Sequence, residues 1–313
     1  MTSGRTGAAP VAVTVRVPAT SANLGPGFDA LALALRRYDE ITVRRRSSPG
    51  VEIEVVGEGA ADVPRDETHL VVRAIHAAFH RLGVPRPGLS LRCVNSIPHG
   101  RGLGSSAAAI VAGVLAGGAL AGRAADDRAW ALALANEIEG HPDNVAACLV
   151  GGLTMAWTDG AGAHVARLDP SPDLETVAFV PDTEVATATA RGLLPPAVPH
   201  GDAAHAAGRA ALLVEAIRRR PDLLLPATED RLHQQYRAAA MPGTAALVAK
   251  LRDRGVPAVV SGAGPSVLAL LRADEEEDTS ILSTLAELAG GEWLVMRLGV
   301  DINGAQVAVE RDD

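Results

Sequence analysis

Between Ile97 and Ala107 the chain reads Ile97-Pro98-His99-Gly100-Arg101-Gly102-Leu103-Gly104-Ser105-Ser106-Ala107 and continues as an alanine-rich run. Glycine takes positive φ and lets a backbone approach a ligand closely. The first amides of the helix that should follow have no internal partner, and a helix N-terminus of this kind attracts phosphate. Two serines at the helix start can cap it, or offer hydroxyls to phosphate or a metal ion. A plain strand–helix turn with a serine cap would need fewer glycines, so the segment is read as a phosphate-binding loop. Gly102-x-Gly104-x-x-Ala107 also meets the loose dinucleotide fingerprint, which further wants an acidic residue at the end of the next strand. Ala124-Ala125-Asp126-Asp127 stands there and reads as the start of a helix, so the dinucleotide reading is disfavoured.

What the chain lacks narrows the chemistry further. Lys250 is the only lysine, lying inside LVAKLRDRG, and the remaining 28 basic residues are arginines. A Walker A loop and a protein-kinase V-A-I-K strand are both absent, and Schiff-base chemistry is disfavoured. Cys93 and Cys148 form no C-x-x-C, so neither a disulfide framework nor a zinc–cysteine site is expected. The net charge of −8, from 37 acidic and 29 basic residues, argues against a nucleic-acid partner. The most apolar stretch, Ala107 to Gly122, falls short of the ~20 residues a membrane span needs. The N-terminus shows no apolar signal-peptide core. A cytoplasmic protein with no membrane partner is expected.

Two further glycine-punctuated segments flank this loop in sequence. Val17-Pro18-Ala19-Thr20-Ser21-Ala22-Asn23-Leu24-Gly25-Pro26-Gly27-Phe28-Asp29 sets an amide and a carboxylate around a turn, where they can hold an ammonium group or act as ordinary turn residues. Ser261-Gly262-Ala263-Gly264-Pro265-Ser266 is the third. Together with Pro98–Ala108 these segments resemble, in order, the three motifs of the GHMP kinases. The first is similar to the form found in the homoserine-phosphorylating branch of that family.

The resemblance implies ATP and Mg²⁺ as cofactors, with Pro98, His99, Gly100, Arg101, Gly102, Leu103, Gly104, Ser105, Ser106, Ala107 and Ala108 forming the nucleotide loop. Glu137-Ile-Glu139-Gly140-His141-Pro142-Asp143-Asn144 is similar to the family segment that supplies a metal carboxylate. It implies Ser106 and Glu137 on Mg²⁺, with Glu139 the rival carboxylate. His141 and Asn144 would contact the substrate, Asn144 close to its reacting hydroxyl. Asp143 matches the residue that serves as base in mevalonate-kinase-like members; here it is a possible catalytic residue only. Thr187-Ala-Thr189-Ala-Arg191 and Asp230-Arg231-Leu-His-Gln-Gln-Tyr236-Arg237 resemble the family's arginine segments. Asn23, Asp29, His141, Thr187, Arg191 and Arg237 would then bind an amino-acid substrate, the two arginines as a carboxylate clamp. The implied activity is transfer of the γ-phosphoryl group of ATP to the hydroxyl of L-homoserine, by a possible homodimer. A kinase for another small alcohol such as mevalonate, or a catalytically silent relative, are the competing readings. His69 stands where that branch often has Asn, near the expected adenine pocket.

Elements to carry these residues can be read from periodicity. Strands are expected at Val11–Val17, ending at Pro18, and at Ile41–Arg45, Val51–Val56, Leu89–Val94 and Leu153–Trp157. Apolar spacing of three and four predicts helices over Thr68–Leu82, Ser105–Leu120, Asp127–Glu139 and Pro142–Leu149. Beyond residue 160, strands are expected at Val165–Leu168, Val177–Val180, Val256–Val260, Ser266–Leu271, Glu292–Leu298 and Gln306–Val309. Helices are expected at Ala203–Arg219, Thr228–Ala239, Thr244–Arg254 and Thr279–Leu288. The acidic run Asp274–Asp278 suits the positive end of the last helix better than a metal cluster. At 313 residues, two domains of ~150 each are expected, divided as 1–160 and 161–313. The class is α+β. The resemblance implies the GHMP kinase fold, an N-terminal domain like ribosomal protein S5 domain 2 followed by a ferredoxin-like domain.

Overall fold

The computed structural model describes residues 10–273 and 279–311. The N-terminal nine residues, the acidic run 274–278 and the last two residues lie outside the described residues. The first half of the chain lays down β1 (Pro10–Ala22), β2 (Leu31–Arg46), β3 (Val51–Gly57), α1 (Leu70–Leu82), β4 (Gly88–Asn95), α2 (Ser105–Leu120), α3 (Arg128–Glu139), α4 (Pro142–Val150) and β5 (Leu153–Asp159). The rest supplies β6 (Gly162–Leu168), β7 (Leu174–Pro181), α5 (Thr187–Gly192), α6 (His200–Arg218), α7 (Leu224–Ala227), α8 (Gln234–Arg237), α9 (Pro242–Arg252), β8 (Ala258–Val260), β9 (Val267–Arg272), α10 (Thr279–Ala289), β10 (Trp293–Arg297) and β11 (Gln306–Arg311).

Seven strands make the first sheet, in the order β11-β1-β2-β4-β3, with the β5–β6 hairpin joined to the start of β2. Only β3 and β4 run parallel. β2 does two jobs along its length: Leu31–Leu33 pairs with β5, and Glu40–Arg46 pairs with β4. Its first half was not expected as strand, because Leu31–Leu35 is buried on both faces and so shows no apolar–polar alternation. β1 runs past Pro18 rather than ending there; the missing N–H is absorbed by a register shift between Pro18 and Ala19.

The core lies between this sheet and the helices, and α2 runs through it, buried along nearly its whole length. An apolar helix with no polar face belongs in such a place. Its glycines allow close helix approach: a Cβ on Gly113 would lie 2.6 Å from Val71 O, and one on Gly117 would lie 2.9 Å from Ile75 O. The buried helix therefore has a fixed seat against α1, and its N-terminus a fixed position.

Four antiparallel strands make the second sheet, in the order β10-β7-β9-β8. Numbered along the chain this is 4-1-3-2, and the β-α-β-β-α-β succession is the ferredoxin-like arrangement. The expected helix 228–239 shrinks to α8. Asp230 takes the amides of Leu232, His233 and Gln234, so the chain turns there instead of coiling. A boundary near residue 160 does not describe the sheets, since β6 and β11 both complete the first one.

Candidate active site

Three loops meet where the two sheets face each other: the β1–β2 turn, the loop before α2, and the β8–β9 turn. Backbone and hydroxyl contacts knit them. Thr20 N donates to Leu103 O (3.0 Å), Gly262 N to Ala22 O (3.0 Å) and Ser266 N to Arg101 O (3.2 Å). Ser261 Oγ donates to Gly102 O (2.7 Å) and lies 2.8 Å from Ser21 Oγ. All three motifs singled out in the sequence are thus in one place.

Gly104 is the N-cap of α2, in the left-handed region at φ 72°, and no side chain caps the helix. The serines are the first two helical residues, so they are not caps, and the first-turn amides remain for a ligand. The loop is as tight as its glycines permit. A Cβ on Gly104 would fall 1.9 Å from Thr20 Oγ1, and one on Gly102 would fall 2.3 Å from Ser261 O. Not every residue of the loop faces a ligand. Leu103, Ala107 and Ala108 send their side chains into the core, and Pro98 is buried. Arg101 donates to Pro181 O and Asp182 O, with Glu184 3.6 Å away, so it ties the loop to the second domain.

Two cavities open on either side of Ser105 and Ser106. The first, of about 170 Å³, is polar and is walled by Glu139, His141, Asn144, Thr187, Arg191 and Arg237 among others. The second, of about 280 Å³, runs under α1 and is lined by Ile41, Val63, His69, Leu70, Val71 and His99 among others. His69 is buried and accepts the Val71 amide through Nδ1, capping α1. Burial, and to a lesser extent His99, pulls its pKa below the usual histidine value. Asp39, which sequence reading missed, lies in the same cavity and receives the amides of Ser96 and Ile97. From the middle of β2 it holds the two residues that follow β4 and so fixes the loop's entry.

Of the two rival carboxylates, the structure separates their roles. Glu137 is exposed and pairs with Arg81 of α1, away from the cleft. Its assignment beside Ser106 is corrected: the carboxylate there is Glu139, whose Oε1 accepts from Ser106 Oγ at 2.7 Å. Burial raises the Glu139 pKa, and the Ser106 hydroxyl opposes the shift. A desolvated carboxylate in that condition favours a cation beside it. Among the described residues there is no cluster of three or more His, Cys, Asp or Glu side chains that could hold a metal unaided. Ser106 with Glu139 suits Mg²⁺, which keeps phosphate oxygens and water for most of its shell.

At the other end of the polar cavity, Arg191 of α5 grips Asp29 with both ends of its fork, at 2.7 and 3.0 Å. Arg237 of α8 is fully buried, and its guanidinium sits 5.4 Å from the Phe28 ring centroid. His141 bonds Asp143 Oδ1 at 2.8 Å, and this bond raises the histidine pKa against the opposing pull of burial. The same oxygen receives the Asn144 backbone amide at 2.7 Å. Asn144 Oδ1 in turn accepts from Thr20 Oγ1 at 2.7 Å, which fixes the amide's rotamer. The sequence marks Thr20 only by its place in the Val17–Asp29 segment. Asn23 lines the cavity with its amide engaged, Oδ1 taking Asp29 N at 2.9 Å and Nδ2 reaching Gly262 O at 2.7 Å. Of the two roles the sequence leaves open, ammonium ligand or turn residue, these contacts are those of a turn residue that presents Asp29. Asn23 and Asp29 both take positive φ, at 69° and 55°.

The description GHMP kinases N terminal domain fits residues 69–152, and GHMP kinases C terminal fits residues 204–288. A protein named homoserine kinase from Streptomyces coelicolor is 58% identical over 95% of this chain and 94% of its own length. The chain belongs to the GHMP kinases. A homoserine kinase from Clavibacter michiganensis is 53% identical over 95% of this chain and 94% of its own. Among solved structures, the homoserine kinase from Cytophaga hutchinsonii superposes with a TM-score of 0.83 at 28% identity, over 98% of this chain and all of that one. A mevalonate diphosphate decarboxylase from Staphylococcus aureus, at 16% identity and TM-score 0.68 over 95% of this chain and 98% of its own, shares the fold alone. The two family matches fall on either side of the cleft and between them hold the phosphate loop, Glu139, His141, Asn144 and Arg237. No helix among the described residues is long and apolar enough to cross a membrane.

Proposed function

We propose that this GHMP kinase transfers the γ-phosphoryl group of ATP to the side-chain hydroxyl of L-homoserine, giving O-phospho-L-homoserine for threonine synthesis. One observation carries the choice of substrate class. The polar cavity beside the phosphate loop is lined by two guanidiniums, Arg191 and Arg237, and the Asp29 carboxylate adjoins it through its bidentate contact with Arg191. That charge pattern complements a zwitterion. The ammonium group has Asp29 to meet, and the carboxylate has the Arg237 guanidinium together with that of Arg191, whose fork would exchange part of its contact with Asp29 for the substrate. Mevalonate has no ammonium group and would leave Asp29 facing its negative charge. The names of the relatives support the same substrate.

The nucleotide reading rests on the paired cavities. A purine fits the apolar one under α1, and the phosphates then cross the first turn of α2 toward the hydroxyl. Helix amides and the loop backbone would stabilise the charge that develops on the transferred group. Ser106 and Glu139 would hold Mg²⁺, which supplies further neutralisation of the phosphate oxygens when bound. Asn144, its oxygen held by Thr20, would present its N–H face to the substrate. Thr187, at the start of α5, would close the cavity from the second domain.

Asp143 is better suited to orientation than to proton abstraction, because its Oδ1 is shared by His141 and Asn144 and the residue is buried. The hydroxyl proton would leave with the transferred phosphate. Phosphoryl transfer through a loose transition state depends on positioning more than on a strong base. A possible homodimer is kept as an expectation from the family alone.

The test is ADP release with Mg-ATP and, separately, L-homoserine, D-homoserine, L-serine, L-threonine and mevalonate. Turnover confined largely to L-homoserine is the expected result. Turnover with mevalonate would preserve the fold and reject the zwitterion clamp. No turnover with any of them would point to another alcohol or to a silent relative.

A further inference from the structure

His233 has no part in the roles assigned above, yet it is 0% exposed and touches both Arg237 and the β1–β2 turn. Its ring nitrogens have different neighbours. Nδ1 lies 3.2 Å from Arg237 NH1, and Nε2 lies 3.0 Å from Gly25 O. A guanidinium can only donate and a carbonyl can only accept. The tautomer is therefore dictated: Nδ1 accepts from Arg237, and Nε2–H donates to Gly25. The Asp230 carboxylate, 3.6 Å from Nε2, favours the same placement of the proton. Phe28 stacks on the other side of the ring, with centroids 5.0 Å apart.

We infer that His233 is a positioning residue that holds Arg237 in its carboxylate-binding orientation and clamps it to the β1–β2 turn that presents Asp29. The inference rests on the amino-acid kinase reading. Arg237 has two other acceptors, Ala190 O and Gly262 O, both at a long 3.3 Å. Neither belongs to the turn that carries Asp29. His233 links the buried cation to that turn directly, through a rigid ring with one atom bonded to each side, and adds to the Phe28 ring contact and the shared Gly262 carbonyl.

The choice of histidine has an electrostatic reason. A buried guanidinium must be anchored, and an aspartate or glutamate would anchor it well while cancelling the charge that the substrate carboxylate needs. A neutral imidazole acceptor fixes the orientation and leaves the charge in place. Protonation of Nδ1 would turn the acceptor into a second donor facing Arg237, so the neutral form is the one that works.

The experiment compares wild type, His233→Leu and His233→Asn by steady-state kinetics. Asparagine sets an acceptor oxygen where Nδ1 stands; leucine offers none. In the leucine variant the KM for L-homoserine should rise roughly tenfold or more, the loss of a charge-assisted bond to the clamp. The KM for ATP and the inhibition constant of 3-aminopropan-1-ol, the same chain without its carboxylate, should stay within about twofold. The asparagine variant should recover most of the L-homoserine KM. Should the leucine variant not fold, His233→Gln replaces it. Its longer amide keeps a donor for Gly25 O without an acceptor at the Nδ1 position, and the same loss is expected. An unchanged L-homoserine KM in the leucine or glutamine variant overturns the inference. So does an equal weakening of 3-aminopropan-1-ol, or a failure of asparagine to rescue. Wild-type enzyme that does not turn over L-homoserine refutes the functional reading itself, and that result is in hand before any variant is compared.

Discussion

Glu137 and Glu139 close α3 two positions apart, and at 3.6 residues per turn their side chains leave the axis about 200° from each other. One meets Arg81 in solvent and the other meets Ser106 in the cleft. Glu139→Gln should therefore lower kcat by roughly 10²-fold or more, as expected when charge stabilisation at the phosphates is lost, and should weaken the dependence of rate on Mg²⁺. Glu137→Gln should leave both unchanged and cost at most ~1 kcal/mol, since its partner is an exposed arginine. A matched pair of Mg²⁺ titrations decides it; equal losses in the two variants would return the role to both. Sequence alone offered both carboxylates in one short segment but not the direction either would face, which depends on where α1 packs. His69 carries a prediction of its own. Its pKa is depressed by burial, so the unfolded chain binds the proton more readily than the folded one. The stability it contributes is complete above about pH 6.5, the ordinary histidine value, and is lost as pH falls through the depressed folded value. Protonation of Nδ1 also removes the acceptor that caps α1. Asparagine caps helices well and does not titrate, so His69→Asn should reduce the drop in melting temperature between pH 7.5 and 5.5. Parallel melting curves for the two proteins would reject this reading.

At the scale of elements, the loop before α2 was legible because its glycines are demanded by geometry that any sequence reader can anticipate: positive φ and close approach. What was not legible is the partner each glycine approaches. Gly102 faces two carbonyl oxygens of the β8–β9 turn, with a Cβ placed 2.3 Å from Ser261 O and 2.8 Å from Gly264 O. Gly83, which ends α1 at φ 65°, has nothing within 4 Å of a Cβ. Gly83→Ala should thus pay only for the left-handed conformation, about 1 kcal/mol in a denaturant titration. Gly102→Ala must also push apart two loops from different domains. It should destabilise the protein more and raise the KM for ATP at least roughly tenfold, the equivalent of about 1.4 kcal/mol. Equal stability losses and an unchanged KM for ATP would mean that the loops yield without cost. Periodicity located α2 and α3 well, because a helix is specified by its own spacing. It missed the first half of β2, buried on both faces, and lengthened α8. For the strand a partner far away in sequence decides, β5; for α8 the Asp230 carboxylate takes the amides that a longer helix would use, and His233 then closes on the β1–β2 turn through Gly25 O.

For the molecule as a whole, the order of residues along the chain and the division into two packed units do not coincide. β11, from the end of the chain, pairs with β1 from Pro10 to Arg16 and forms an edge of the first sheet. The segment before it is woven in as well. Arg36 N donates to Gly299 O, Asp301 N to Ala34 O and Gly152 N to Asp301 O. Tyr38 bonds the Asp301 carboxylate at 2.9 Å. Gly151 and Gly304 approach so closely that a Cβ on either would fall 2.5 Å from a backbone atom of the 149 or 304 region. A fragment ending at Leu168 would expose the outer edge of β1, leave the Asp301 contacts unmade and open the floor beneath β5. Exposed strand edges of this kind lead to association rather than to a stable domain. Residues 1–168 alone should therefore show no cooperative thermal transition by circular dichroism. The same fragment joined through a flexible linker of about 15 residues to residues 298–313 should melt cooperatively. Cooperative folding of the short fragment would show that the returning strand only decorates the first unit. The opposite outcome means that this unit cannot be completed until the chain has passed through the second one. The cleft that holds the three glycine motifs is then a consequence of chain order: the second unit is inserted between two parts of the first, and its β8–β9 turn is delivered against the phosphate loop.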